Sequence, residues 1–212
     1  MLVAFVFALP ARAATNRILL NESFDGANLP ELFTEGRGNW VVENHILTGQ
    51  EQAADKHTAF RKIYLDHQDV RYAYDMRIED DAFHQLLINW GLAHIAKVVI
   101  KIDEAQIIKI KELKKRQQMQ SLGHDQGLDP LAGEWNHPNE TLASMPLSLN
   151  RGRWYRVVIE MKADQISLEI DGKKISGRHI GITEKKDNFG FQAGGLAGKI
   201  SFDNIVVTDL SE

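Results

Sequence analysis

The stretch INWGLAHIAK places Asn89, Trp90, His94 and Lys97 close together in the chain. On one hairpin, an indole can stack on the C–H face of a sugar ring while amide, imidazole and ammonium groups bond its hydroxyls. The plainer alternative puts Trp90 in the core, His94 at a turn and Lys97 on a solvated strand. A second cluster stands in GEWNHPNE, with Trp135, Asn136, His137 and Asn139 following Glu134. Loops over a rigid scaffold commonly carry binding groups, although a turn anchored by Trp135 and Pro138 would use the same residues structurally. For proton transfer, His94 and His137 are the candidate bases, and Asp103 and Glu134 the candidate partners or acids. His84 with His94, or His124 with His137, would also supply paired imidazoles. No spacing among the 8 histidines matches a His-Glu-x-x-His zinc motif.

The elements that position these groups follow a period of two. In VRYAYDMRIED, Val70, Tyr72, Tyr74, Met76 and Ile78 share one face and Arg71, Asp75, Arg77 and Glu79 the other, as in a half-buried antiparallel strand. Similar runs recur at 39–49, 57–65, 84–92, 94–103, 105–113, 152–162, 164–170, 189–194 and 198–210. Many short strands joined by turn residues predict an all-β, two-sheet antiparallel β-sandwich. The polar, aperiodic stretch 112–150 breaks the pattern and reads as a short helix followed by a long loop or insertion. Across its start, KIKELKKRQQ (109–118) reads as a solvated basic face.

The chain has 212 residues, 43% of them hydrophobic and 25% charged, enough for one domain with a conventional core. A formal charge of −4 and a pI near 6.1 argue against nucleic acid as a partner. With no cysteine, disulfides, thiolate metal sites and a cysteine nucleophile are excluded. Residues 1–13 combine an apolar run, Leu2–Leu9, with Pro10 and Ala11-Arg12-Ala13, which predicts a signal peptide and an exported chain beginning at Ala14. No other run reaches membrane-spanning length.

Glu169-Ile170-Asp171 begins like the Glu-x-Asp-x-Glu strand motif of laminarinase-type glucanases. The positions where that motif places its next acid are Lys173 and Lys174, whereas a retaining glycosidase needs a second carboxyl about 5 Å from the first. Asp171-Gly172 between two strand-like runs instead predicts a tight hairpin. The segments GRWYRVVIEMKADQISLEIDGKKI and DNFGFQAGGLAGKISFDNIVVTDL resemble the closing strands of concanavalin A-like lectin/glucanase domains, the laminin G-like jelly rolls. ILLNESFDGANL and GNWVVENHILTGQ resemble their opening strands. Taken together, residues 18–210 resemble a large bacterial group of exported keto-disaccharide hydrolase, or family-sixteen-like glycoside hydrolase, domains. That group's Asn-Ser-Gly segment and Glu-rich central motif are not found here.

The resemblance implies a single jelly-roll domain over 14–212 that binds carbohydrate in a periplasmic or extracellular setting. On this expectation Trp90 or Trp135 stacks on the sugar, Asn89, His94, His137 and Asn139 bond it, and no cofactor is required. The alternatives are a glycoside hydrolase of the keto-disaccharide type and a non-catalytic protein-interaction module. Jelly rolls of this kind also carry structural calcium, for which Asp25 and Asp203 are the residues to test.

Overall fold

The computed structural model describes residues 17–110 and 139–211, apart from Ala27, Leu92 and Ala197. The expected signal segment 1–13 and the groups at His124, Glu134, Trp135 and His137 lie outside the described residues. The strands are β1 (Arg17–Glu22), β2 (Phe33–Arg37), β3 (Asn39–Glu43), β4 (Ile46–Gln50), β5 (Ala59–His67), β6 (Val70–Ile78), β7 (Phe83–Trp90) and β8 (Ala93–Ile100). They continue with β9 (Glu104–Lys109), β10 (Glu140–Pro146), β11 (Trp154–Lys162), β12 (Gln165–Ile170), β13 (Lys173–Arg178), β14 (Lys186–Gly194) and β15 (Lys199–Asp209). Short 3-10 turns stand at Ala53–Asp55 and Ile180–Thr183.

Two antiparallel sheets face each other. One runs β13-β12-β11-β6-β15-β4-β3, with β1 paired to the far half of β15; the other runs β10-β9-β8-β7-β14-β5-β2. The expected two-sheet β-sandwich is therefore the observed architecture. Among the described residues no helix is long and apolar enough to cross a membrane.

Alternation dictates the core. Tyr72, Tyr74, Met76 and Ile78 of β6 point inward, as do Leu86 and Ile88 of β7, Phe189 and Phe191 of β14, and Phe202 of β15. Phe191 lies with its ring centroid 5.0 Å from both Tyr74 and Phe202, tying the two sheets together. The Asp171-Gly172 hairpin joins β12 to β13 with φ of 51° and 71°. Both values are left-handed, as a two-residue turn of the hairpin-compatible hand requires. The run at 39–49 is likewise a hairpin, turning at Asn44 and His45 with φ of 52° and 62°.

Two sequence expectations are corrected. The 112–150 stretch contains a strand, β10, which pairs with β9 from Glu140↔Lys109 to Pro146↔Glu104. Lys109 does not join a solvated basic face: with Ala105 and Ile107 it follows the inward parity of β9, and its side chain is buried.

Two histidines are built into the core. His84 Nδ1 donates to the Gln192 carbonyl at 2.9 Å, so its Nε2 accepts from the Tyr74 hydroxyl at 2.7 Å. His67 repeats the arrangement, with Nδ1 donating to Leu65 O at 2.6 Å and Nε2 bonded to the Tyr72 hydroxyl. Burial pulls both imidazoles down to about 4. The folded chain therefore binds fewer protons than the unfolded chain between about pH 6.5 and 4, and stability falls as pH drops through that window. Full titration of one such histidine is worth about 3 kcal/mol. Urea unfolding from pH 7.5 to 4.5 should show a plateau above pH 7 and a progressive loss below 6.5; constant stability down to pH 4.5 contradicts this account.

Candidate functional site

The outer face of the seven-stranded sheet carries cross-strand rows of side chains. In register, Tyr64, Asn188, Asn89 and His94 form one row across β5, β14, β7 and β8. The next row is Lys62, Gly190, Leu87 and Lys97, and the one beyond is Phe60, Gln192, Gln85 and Val99. Gly190 has no side chain in the middle of its row, so the face dips there. A cavity of about 210 Å³ opens at this point, lined by Lys62, Leu87, Asn89, His94, Gly190 and Gln192, with His57 and Phe60 at the rim.

His94 is held by a directed chain of hydrogen bonds. Gly91, at φ 56° in the β7–β8 turn, donates its N–H to both carboxylate oxygens of Asp187 at 2.8 Å. The Asn188 amide donates to Asp187 Oδ1 at 2.6 Å and to Gly91 O at 3.2 Å, which leaves Asn188 Oδ1 as the acceptor for Asn89 Nδ2 at 2.7 Å. Asn89 Oδ1 is then the acceptor for His94 Nδ1 at 2.5 Å. Each amide is oriented by the one before it, so the proton of a neutral His94 sits on Nδ1 and the lone pair on Nε2. Asn89 and Asn188 are buried, and their amides are bonded to each other and to Asp187, Gly91 and His94.

Lys62 faces His94 from the other side, three strands away, or about 14 Å between backbones at ordinary strand spacing. Its ammonium bonds Glu35 Oε2 at 3.2 Å and the Tyr64 hydroxyl at 3.4 Å. Burial pulls its pKa down, but the hydrogen bonds and charge of Glu35 and Tyr64 outweigh burial and leave it raised. The hydrogen bonds from Lys62 and Tyr64, with the Lys62 charge, lower Glu35 in turn. The cavity thus holds a lysine cation on one wall and an oriented imidazole on the other, over a floor of Gly190 and Leu87. This arrangement can bind a hydroxylated ring, accept a proton from it at Nε2 and stabilise negative charge near Lys62.

Of the residues singled out from sequence, Asn89 and His94 come together here. Trp90 does not line the cavity: one residue past Asn89 on the strand, it turns to the opposite face and packs against the core. His84 lies in the core and cannot pair with His94. Asp103 lies beyond the other end of β8, with about 20 Å of strand separating His94 from Ile100, and is not the acid partner of His94. Asn139 precedes β10 at the same end of the sheet as His94, two strands over. Asp25 accepts from Ser23 and lies 3.4 Å from His45, while Asp203 accepts from the Asn204 N–H. Among the described residues no group of three or more histidines and carboxylates could hold a metal. Lys62, Asn188, Gly190 and Gln192 were not singled out; the polar outward parity of DNFGFQ was the signal for three of them.

Gly190→Val should fill the dip. The nearest atom to an added Cβ is the Arg61 carbonyl oxygen, at 3.2 Å, with Lys62 Cα next beyond that carbonyl at 4.0 Å, so the strand should survive with a small adjustment. The expected result is ligand binding weakened about tenfold or more, roughly 1.4 kcal/mol, with the fold intact by circular dichroism. Unchanged affinity would place the ligand elsewhere.

Among solved structures the fold is shared with jelly rolls that act on or bind glycans. The chain superposes on the carbohydrate-binding module CBM66 of Bacillus subtilis with TM-score 0.55 and 13% identity, covering 80% of this chain and 90% of that one. For the CBM2 module of the evolved Dit of Lactobacillus casei BL23 phage J-1, the values are 0.62 and 10%, covering 91% and 95%. For the β-glucanase of Bacillus licheniformis they are 0.59 and 8%, covering 94% and 100%. These likenesses define a concanavalin A-like jelly roll, the fold expected from the closing and opening strands. Residues 20–208 match the family described as the 3-keto-alpha-glucoside-1,2-lyase-like domain, and the chain belongs to that family. No curated protein sequence matches the chain.

Proposed function

We propose that the cavity on the seven-stranded sheet binds a 3-keto-α-glucoside and cleaves it by elimination, with His94 as the base. The observation that supports this reading is the Asp187–Asn188–Asn89–His94 chain, which holds the imidazole of His94 through Nδ1 at a cavity wall. The ketone at C3 acidifies the hydrogen on C2. His94 Nε2 takes that proton, the C–H electron pair forms the C2–C3 enolate, and the developing oxyanion faces the Lys62 ammonium. The carbonyl then re-forms, the electrons become a C1–C2 double bond, and the C1–O bond breaks. The departing alkoxide takes a proton from the imidazolium. The products are an alcohol and an unsaturated 3-keto sugar, with no water consumed and no change in redox state.

Turnover of p-nitrophenyl 3-keto-α-glucoside, followed by release of the phenolate and by the enone product, tests this function. Saturable turnover above the spontaneous rate is the expected result. Binding without turnover would support a second reading, a non-catalytic carbohydrate-binding domain, which is favoured by the Gln192 amide and the Lys62 ammonium at the cavity. The proposal includes export, for which the apolar run Leu2–Leu9 and Ala11-Arg12-Ala13 are the support.

A further inference from the structure

The opposite face of the sandwich carries a larger groove, of about 490 Å³, on the outer side of the eight-stranded sheet. Its axis is a row in register across four strands, Arg77 of β6, Ser201 of β15, Thr48 of β4 and Val41 of β3, and Trp154 of β11 continues the row beyond the groove's lining. The polar members are locked to one another. Arg77 Nε donates to Glu79 Oε1 at 2.5 Å, the Ser201 hydroxyl donates to the same oxygen at 3.1 Å, and the Thr48 and Ser201 hydroxyls are 3.2 Å apart. Because the Ser201 proton is committed to Glu79, Thr48 donates to Ser201. The Arg77 guanidinium lies over the Trp154 ring, 4.7 Å from its centroid.

We propose that this groove is a second binding site, for a neutral saccharide chain, separate from the cavity of His94. The inference rests on the reading that the domain recognises carbohydrate. The charges argue for a neutral ligand: Arg77 is paired with Glu79, and the remaining lining charges, Glu43, Asp80 and Lys199, are of mixed sign. Neither a polyanion nor a polycation finds a matching field there. What remains along the floor are the Thr48 and Ser201 hydroxyl oxygens, which can still accept, and the amides of Asn39 and Gln50, which can donate and accept, groups of the kind that pair with sugar hydroxyls. Val41, 44% exposed at one end, offers an apolar surface for the C–H face of a ring. The interlocked Arg77, Glu79, Ser201 and Thr48 side chains lose little freedom when a ligand arrives, which favours binding of a flexible chain. A jelly roll with sites on both faces would hold a glycan on one sheet while acting on a glycoside at the other.

The test is amide NMR of the 14–212 chain titrated separately with maltoheptaose, cellohexaose and laminarihexaose. At least one should move the Thr48, Gln50 and Ser201 amides saturably by about 10 mM, the range in which millimolar binding saturates. The movement should persist in His94→Gln and Gly190→Val, and be lost, or weakened about tenfold, in Thr48→Val/Ser201→Ala. Backbone amide dispersion equal to the parent shows that the double variant is folded. Stationary amides with all three probes, or movement unaffected by the double variant, would overturn the second site. Silence at Asn89, His94 and Gly190 in the same spectra bears only on the proposed function of the other face.

Discussion

Replacing His94 with glutamine should lower turnover of a 3-keto-α-glucoside by about 10²- to 10⁴-fold, the usual contribution of one positioned base. Glutamine can still donate an amide proton to Asn89 Oδ1, so the chain from Asp187 through Asn188 and Asn89 keeps its terminal partner. What is lost is the lone pair of Nε2. The loss should therefore fall on kcat, with KM changed little, because the floor at Gly190 and Leu87 and the cation at Lys62 remain in place. A rise in KM with kcat unchanged would make His94 a binding residue only. Equal activity in variant and parent would remove it from the reaction.

Lys186→Met should have the largest effect on stability. The Lys186 side chain is fully buried at the start of β14, and its ammonium donates to the carbonyls of Gln68, Ile182 and Glu184 at 3.0, 2.7 and 2.7 Å. Burial pulls its pKa down to about 8, so it keeps its proton at neutral pH and fills three donor positions. Methionine has nearly the same length and no donor. Each stranded acceptor costs about 1–3 kcal/mol, and we expect a loss of at least about 3 kcal/mol in urea unfolding. Because Asp187 and Asn188 follow directly, loosening this strand start should also weaken the ligand cavity. A variant within about 1 kcal/mol of the parent would show that the three carbonyls find other donors.

The fold was legible because its strands alternate. Val70 to Ile78, Ile166 to Ile170 and Phe189 to Phe191 announce both their period and their buried face, and Asp171-Gly172 announces its turn. Strand β10 was hidden because ETLASMP has no clean alternation; at the sheet edge it is held by pairing with β9, a long-range partner that local pattern does not encode. Lys109 was readable in principle, since strict parity from Ala105 and Ile107 turns it inward, yet its place in a lysine-rich run suggested solvent. The site was half legible. Asn89 and His94 flank one hairpin, so local spacing brought them together. Lys62, Asn188 and Gly190 reach the same cavity only through the β5–β14–β7 pairing, across sequence gaps that no local motif spans. Trp90 drew attention by residue type, but strand parity sends it to the core side.

The measurement that bears most directly on His94 as the base for C2 is the deuterium isotope effect on kcat/KM, using p-nitrophenyl 3-keto-α-glucoside labelled at C2. The account predicts a primary effect in the parent protein, together with enzyme-dependent release of phenolate that His94→Gln nearly abolishes. Turnover with no isotope effect, and undiminished in His94→Gln, would contradict it.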